Sequence, residues 1–239
     1  MPRWILQSCS TIVLGLAMTL LAHAQGGLLF REDFNTLDRW EPLYFDGIER
    51  HSLYEIRSGG DGRVLAAVSK NSASALVHRR TFDVREFPIL KWRWKVNRVH
   101  AAGDYRRKAG DDYPLRLYVM FAYDPSEASL ATRLQYGLAK AVYGRYPPHS
   151  SLNYIWANRD AATEWLPSPY TDRAILIPVE QGARKVGQWV EETVNMLEDY
   201  RKAFGGEPPA GAALAVMSDA DNTDEGATGL IDFIEVRRE

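Results

Sequence analysis

Short runs rich in β-branched and aromatic residues recur along this chain, separated by turn-forming clusters, and that pattern limits what it can fold into. The runs are LLFREDF, HSLYEIR, RVLAAVS, ALVHRRTF, ILKWRWKV, LRLYVMFAY, SLNYIWAN, AILIPVE, AALAVMSD and GLIDFIEV. Runs of this length, with turn signals such as SGGDG between two of them, predict an antiparallel β architecture. Two of them alternate sharply. Trp92, Trp94 and Val96 oppose Lys91, Arg93 and Lys95, while Arg116, Tyr118 and Met120 oppose Leu117, Val119 and Phe121. A strand with that pattern has one buried and one wetter face.

Two stretches break the β pattern. Residues 127–142 carry good helix formers, and residues 184–204 place Val186, Val190, Thr193, Leu197, Tyr200 and Phe204 at near-helical spacing before Gly205-Gly206 and Pro208-Pro209. The expected fold is therefore mainly β, an antiparallel β-sandwich of jelly-roll-like form with two helical insertions. The strand–helix alternation of a doubly wound sheet is absent.

The first 24 residues read as a secretory signal peptide: Arg3, an apolar stretch from Thr11 to Leu21, and small residues at Ala22 and Ala24. The apolar stretch is short of the roughly 20 residues a membrane span needs. Cleavage after Ala24 leaves residues 25–239 as a single domain in the periplasm or the medium, with no stable membrane anchor. Cys9 is the one cysteine and leaves with the peptide, so disulfides, thiol catalysis and thiolate zinc sites are excluded from residues 25–239. The whole chain has 29 basic and 31 acidic residues, a balance that suggests no nucleic-acid partner.

Several motifs together resemble a known family: LKWRWKV at 90–96, AGDDYPLRLYVMF at 109–121, LNYIWAN at 152–158, EDYRKAFG at 198–205, and MSDADNT at 217–223 with the closing IDFIEV. The sequence resembles, over nearly all of residues 25–239, the bacterial secreted family known as domain of unknown function 3047. That resemblance implies an exported β-sandwich and leaves the chemistry open. REDF at the start and IDFIEV at the end also look like the terminal strands of carbohydrate-binding jelly rolls, an analogy of fold alone.

No nucleophile elbow, zinc-binding helix or glycine-rich phosphate loop is present. His51, His78, His100 and His149 show no metal-ligand spacing. Carboxylates remain, and Asp111, Asp112, Asp219 and Asp221 are the catalytic candidates, against the alternative that they only shape turns. An arginine in an apolar strand calls for a partner, and Asp112, four residues before Arg116, is expected to supply it. Tyr154, Trp156 and Asn158 share one parity and offer two flat rings and an amide, groups suited to a sugar's C–H faces and hydroxyls. Trp156 is balanced between that role and the core.

The expected ligand site therefore comprises Arg116, Tyr154, Trp156, Asn158, Asp219, Asp221 and Asn222. No cofactor is fixed by the sequence. Structural calcium is considered at the 219–224 turn, where Asx-type turn bonds explain the same residues, and by jelly-roll analogy at Glu32 and Asp232. The leading function is non-catalytic binding of a saccharide or cell-envelope glycan. The alternatives are a glycosidase or lyase using paired carboxylates and an envelope scaffold that binds another protein.

Overall fold

A computed structural model describes residues 27–59, 62–126 and 147–239. The signal-peptide reading and the first expected helix, 127–142, lie outside the described residues. The strands are β1 (Leu28–Glu32), β2 (Trp40–Leu43), β3 (Leu53–Ser58), β4 (Arg63–Lys70), β5 (Ala73–His78), β6 (Ile89–Val96), β7 (Arg116–Phe121), β8 (Ser150–Ala157), β9 (Leu166–Ser168), β10 (Thr171–Gln181), β11 (Val190–Asn195), β12 (Ala212–Asp219) and β13 (Gly226–Arg237). A helix, α1, spans Met196–Phe204.

The strands form two sheets. One runs β11-β6-β13-β4-β3, with β1 also paired to β13; the other runs β2-β5-β12-β7-β8-β10-β9. Pairing is antiparallel except between β8 and β10, which run parallel. All ten sequence runs contain a strand. The three additional strands have weak sequence signals: β2 and β9 are four and three residues long and each contains a proline. Both lie at the ends of the seven-stranded sheet, where a missing N–H costs least.

β11 corrects the second helical expectation. Val190, Thr193 and Val194 are β-branched, and residues 190–195 pair with the edge of β6 in register Val190↔Trp94 to Asn195↔Ile89. The helix starts only at Met196, where the Asn195 side chain accepts from the Leu197 and Glu198 N–H groups. It stops at Gly205, whose φ is 69°. Of the six positions, Val186 lies in the preceding turn, Val190 and Thr193 in β11, and Leu197, Tyr200 and Phe204 in the helix, so their helical spacing is coincidental.

The inner faces of both sheets share one apolar core. β6 contributes Leu90, Trp92, Trp94 and Val96, β7 contributes Leu117, Val119 and Phe121, and β8 contributes Leu152, Tyr154 and Trp156. Trp92 meets Tyr154 and Trp94 meets Trp156, each with ring centroids 5.6 Å apart. The alternation read from β6 and β7 is realised, with Lys91, Arg93 and Lys95 on the opposite face of β6. Trp156 is fully enclosed and its indole N–H donates to the Gly182 carbonyl at 3.1 Å.

At the rim of this core, Glu192 on β11 is part-buried beside the Trp94 indole. Burial, together with the nearby Glu180 carboxylate, raises its pKa from 4.5 to about 7, while Lys185 acts in the opposite direction.

Two expectations follow. Trp156→Ala removes a ring from a closed core and should cost about 3–5 kcal/mol in urea or guanidinium unfolding. A loss below about 1 kcal/mol would place the ring outside the core. Because the folded-state pKa of Glu192 is raised, its favourable contribution is present below about 4.5 and is lost as pH rises through about 7. Glu192→Gln should therefore gain on the wild type across that window, measured as the difference in unfolding midpoint at pH 4.5 and pH 8. A difference independent of pH would contradict the assignment.

Candidate functional site

β7 opens with Arg116 on the face of the seven-stranded sheet that points away from the core, in register with Met217 of β12. Asp219 is two residues farther along β12 and therefore shares that face. The Arg116 guanidinium pairs directly with Asp219 Oδ2 and lies 3.7 Å from Asp111 Oδ2. It also packs over the rings of Tyr113 at 4.8 Å and Tyr118 at 5.3 Å. Arg116, Asp111 and Asp219 are all buried.

Burial works against the charge of Arg116, but the contact with Asp219 and the nearby Asp111 outweigh it and hold the guanidinium protonated. Burial raises the pKa of Asp111, and Arg116 opposes that rise. Asp219 experiences the same contest, with Asp112 and Asp111 adding repulsion. Burial raises the Asp219 pKa well above the ordinary carboxylate value, and the direct contact with the Arg116 guanidinium opposes that rise.

Asp112 is not the partner of Arg116. Its Oδ1 accepts from Asn222 Nδ2 at 3.0 Å, and its Oδ2 accepts from the Thr223 N–H and Oγ1, both at 2.7 Å. The sequence inference assumed an extended chain from 112 to 116, but the strand begins only at Arg116, so parity does not carry back to Asp112. Asp112 instead ties the Asp111-Asp112-Tyr113 loop to the turn between β12 and β13. That turn includes Asp224 at φ 56°, a conformation Asp tolerates better than most residues.

The seven expected ligand-site residues separate onto two faces. Arg116, Asp219, Asp221 and Asn222 gather around the loops that Asp112 joins. Tyr154 and Trp156 instead point into the core, where the Tyr154 hydroxyl donates to Asp199 at 2.7 Å. The expected aromatic row therefore presents no stacking face. Asn158 links neighbouring loops: its Nδ2 donates to the Asp112 carbonyl at 2.6 Å and its Oδ1 accepts from the His100 N–H at 2.8 Å. Gly103 lies so close to it that an added Cβ would come within 2.2 Å of Asn158 Nδ2.

The other proposed calcium pair is divided between separate partners. Glu32 accepts from the Phe34 N–H at 3.0 Å and Trp40 Nε1 at 3.3 Å, whereas Asp232 pairs with Arg93 at 3.0 Å. Among the described residues, Asp112, Asp219 and Asp221 form the group whose carboxylate oxygens could hold a metal, all within 4.8 Å of one another.

Beside this constellation, a cavity of about 610 Å3 crosses the outward face of β2, β5, β12, β7 and β8. Its lining includes Tyr44, Phe45, Tyr118 and Met120, with Glu41, Asp46 and Ser151 supplying polar groups. Tyr44 is 54% exposed and stacks on His51 with centroids 4.0 Å apart. Tyr118 joins the two features, because its ring faces both the groove and Arg116. The sequence reading missed the β2 side of the groove. Its available signal was the adjacent pair Tyr44-Phe45 after Pro42, outside the ten recognised runs.

Removing Arg116 leaves Asp219 and Asp111 buried without their counter-charge. Arg116→Met should therefore cost about 3–5 kcal/mol in denaturant unfolding, and adding Asp219→Leu should recover part of the loss. Equal, additive losses would mean that the two side chains act independently.

Comparison with solved structures finds several chains of low similarity. A family 11 carbohydrate-binding module from Clostridium thermocellum, solved with a β-1,3-1,4-mixed-linked tetrasaccharide, aligns at 9% identity over 86% of this chain and 92% of that one, with a TM-score of 0.42. The K3 cleaved adhesin domain of Lys-gingipain from Porphyromonas gingivalis aligns at 11% identity over 88% and 99%, with a TM-score of 0.41. The Crh5 transglycosylase aligns at 11% identity over 87% and 83%, with a TM-score of 0.42. No curated protein matches the chain. A family model matches residues 38–235, and the chain belongs to that family, the proteins of unknown function designated DUF3047.

Proposed function

We propose that this is an exported, non-catalytic protein that binds a saccharide on the outward face of its seven-stranded sheet, and that its two sheets form a jelly-roll-like β-sandwich. The observation that carries this reading is the groove of about 610 Å3, in which Tyr44, Phe45 and Tyr118 lie beside Glu41, Asp46 and Ser151. Its size falls within the roughly 300–1,000 Å3 usual for small-ligand sites. Flat apolar rings next to hydrogen-bonding groups suit a pyranose, whose faces are C–H and whose rim is hydroxyl.

A glycosidase needs an acid and a base facing each other across a substrate, separated by about 5–9 Å. Asp112, Asp219 and Asp221 instead cluster on one side, and Asp219 is committed to Arg116. The binding reading is therefore preferred to the enzymatic one.

Tyr44 projects from the surface away from the main core, so Tyr44→Ala should leave the unfolding midpoint nearly unchanged. It should weaken retention on the preferred glycan about tenfold, the scale of one lost stacking ring. Glycan-array screening followed by calorimetry on the best hit is the measurement. Binding that survives Tyr44→Ala and Tyr118→Phe unchanged, or no retention across neutral, amino and acidic glycans, would overturn the proposal.

A further inference from the structure

Beside the groove, the Asp111-Asp112-Tyr113 loop and the β12–β13 turn bring more carboxyl groups together than Arg116 pairs with. Asp111, Asp112 and Asp219 are buried and Asp221 is part-buried, with one guanidinium among them. Asp112, Asp219 and Asp221 each offer an oxygen within 4.8 Å of the others. Oxygens within that bound can share one calcium ion, whose bonds of about 2.3–2.6 Å reach ligands up to roughly 5 Å apart.

The protein's own donors orient these carboxylates without exhausting them. A carboxylate has about four lone-pair positions. Asp112 accepts from Asn222 Nδ2, the Thr223 N–H and Thr223 Oγ1, and Asp219 accepts from the Tyr113 N–H and Arg116 Nη2. Each therefore keeps acceptor capacity while its direction is fixed, as a preformed ligand requires.

A second observation is independent of the acidic cluster. His100 is only 1% exposed, and neither ring nitrogen makes a hydrogen bond of good geometry. The imidazole borders the Asp112 carboxylate and the Asp219 backbone, and its Nδ1 lies 4.0 Å from Glu225 Oε2. A buried polar ring without such a bond is uncommon and demands a reason. Here its surroundings include Asp112 and the Asp219 backbone, which belong to two of the three residues that could hold an ion.

We propose that Asp112, Asp219 and Asp221 form a site for a hard divalent cation of the Ca2+ class, with His100 at its inner wall. The ion offsets the charge left over by Arg116 and fixes the Asp111-Asp112-Tyr113 loop against the β12–β13 turn. Asp221, being part-buried, is the side of entry. This site is separate from the saccharide groove, and its existence does not depend on glycan binding.

The test uses full-length protein stripped with chelator and titrated with CaCl2, MgCl2, ZnCl2 or TbCl3. Ca2+ at about 100 times its Kd should raise Tm by roughly 5–10 °C. Tb3+ should give tyrosine-sensitised emission that Ca2+ displaces, with Tyr113 and Tyr170, whose hydroxyl donates to Asn222 Oδ1 at 3.1 Å, as donors. Asp221→Asn, outside the Arg116 pair, should keep the wild-type Tm in chelator and lose at least tenfold in Ca2+ affinity, while Asp232→Asn should leave the response unchanged. The site is overturned by no Ca2+-dependent shift and no Tb3+ emission at millimolar metal, or by a response that persists in Asp221→Asn. A shift with Zn2+ alone overturns the assignment to the Ca2+ class.

Discussion

The outward face of the seven-stranded sheet is organised by the need to neutralise one buried guanidinium. Arg116 sits in a strand whose inner face is Leu117, Val119 and Phe121, and at 6% exposure it has lost most of its hydration. Desolvating such a charge costs several kcal/mol, which only close counter-charges and well-placed acceptors offset. Asp219 and Asp111 supply the charge, Met217 Sδ accepts at 3.3 Å, and the Tyr113 and Tyr118 rings cover the guanidinium. Meeting that demand draws the Asp111-Asp112-Tyr113 loop and the end of β12 together. Asp112 then completes the junction through Asn222 and Thr223. The closeness of Asp112, Asp219 and Asp221 follows from this convergence.

Strand parity assigns different work to the two faces of the sheet. Along β8, Leu152, Tyr154 and Trp156 join the inter-sheet core, while Ile155 and Ala157 pack on the other side with Tyr105, Tyr113 and Leu176. The inner face is closed by large aromatic pairs and provides a stiff floor. The outer face carries the groove and the buried ion pair, with Tyr118 shared between them. A ligand in the groove would therefore rest on side chains whose positions are set by the core behind them.

Much of this was legible from residue order. The ten apolar runs contain strands because β-branched and aromatic residues fit a pleated, half-buried surface. The alternation in β6 and β7 revealed which residues face inward, and Arg116 announced a buried partner because an isolated charge cannot occupy such a strand. β11 was misread because Val190 and Thr193 satisfy helical spacing as well as strand propensity. Only the open edge of β6, to which residues 190–195 pair, decides between them.

What residue order could not supply is which distant atoms meet. The choice of Asp219 over Asp112 as the partner of Arg116 depends on β12 lying beside β7, a pairing across 103 positions of chain. Tyr154 and Trp156 have the composition of a sugar platform, but the second sheet covers that face and makes them core. Conversely, Tyr44 and Phe45 carry no periodic signal and gain meaning only because β2 lies at the sheet edge beside the groove. The sequence by itself determined the β architecture, the in–out alternation and the need for a buried counter-charge, because these follow from local propensity and solvation. The tertiary structure decided the partners, the buried aromatic face and the carboxylate cluster, because each depends on the packing of strands far apart in the chain.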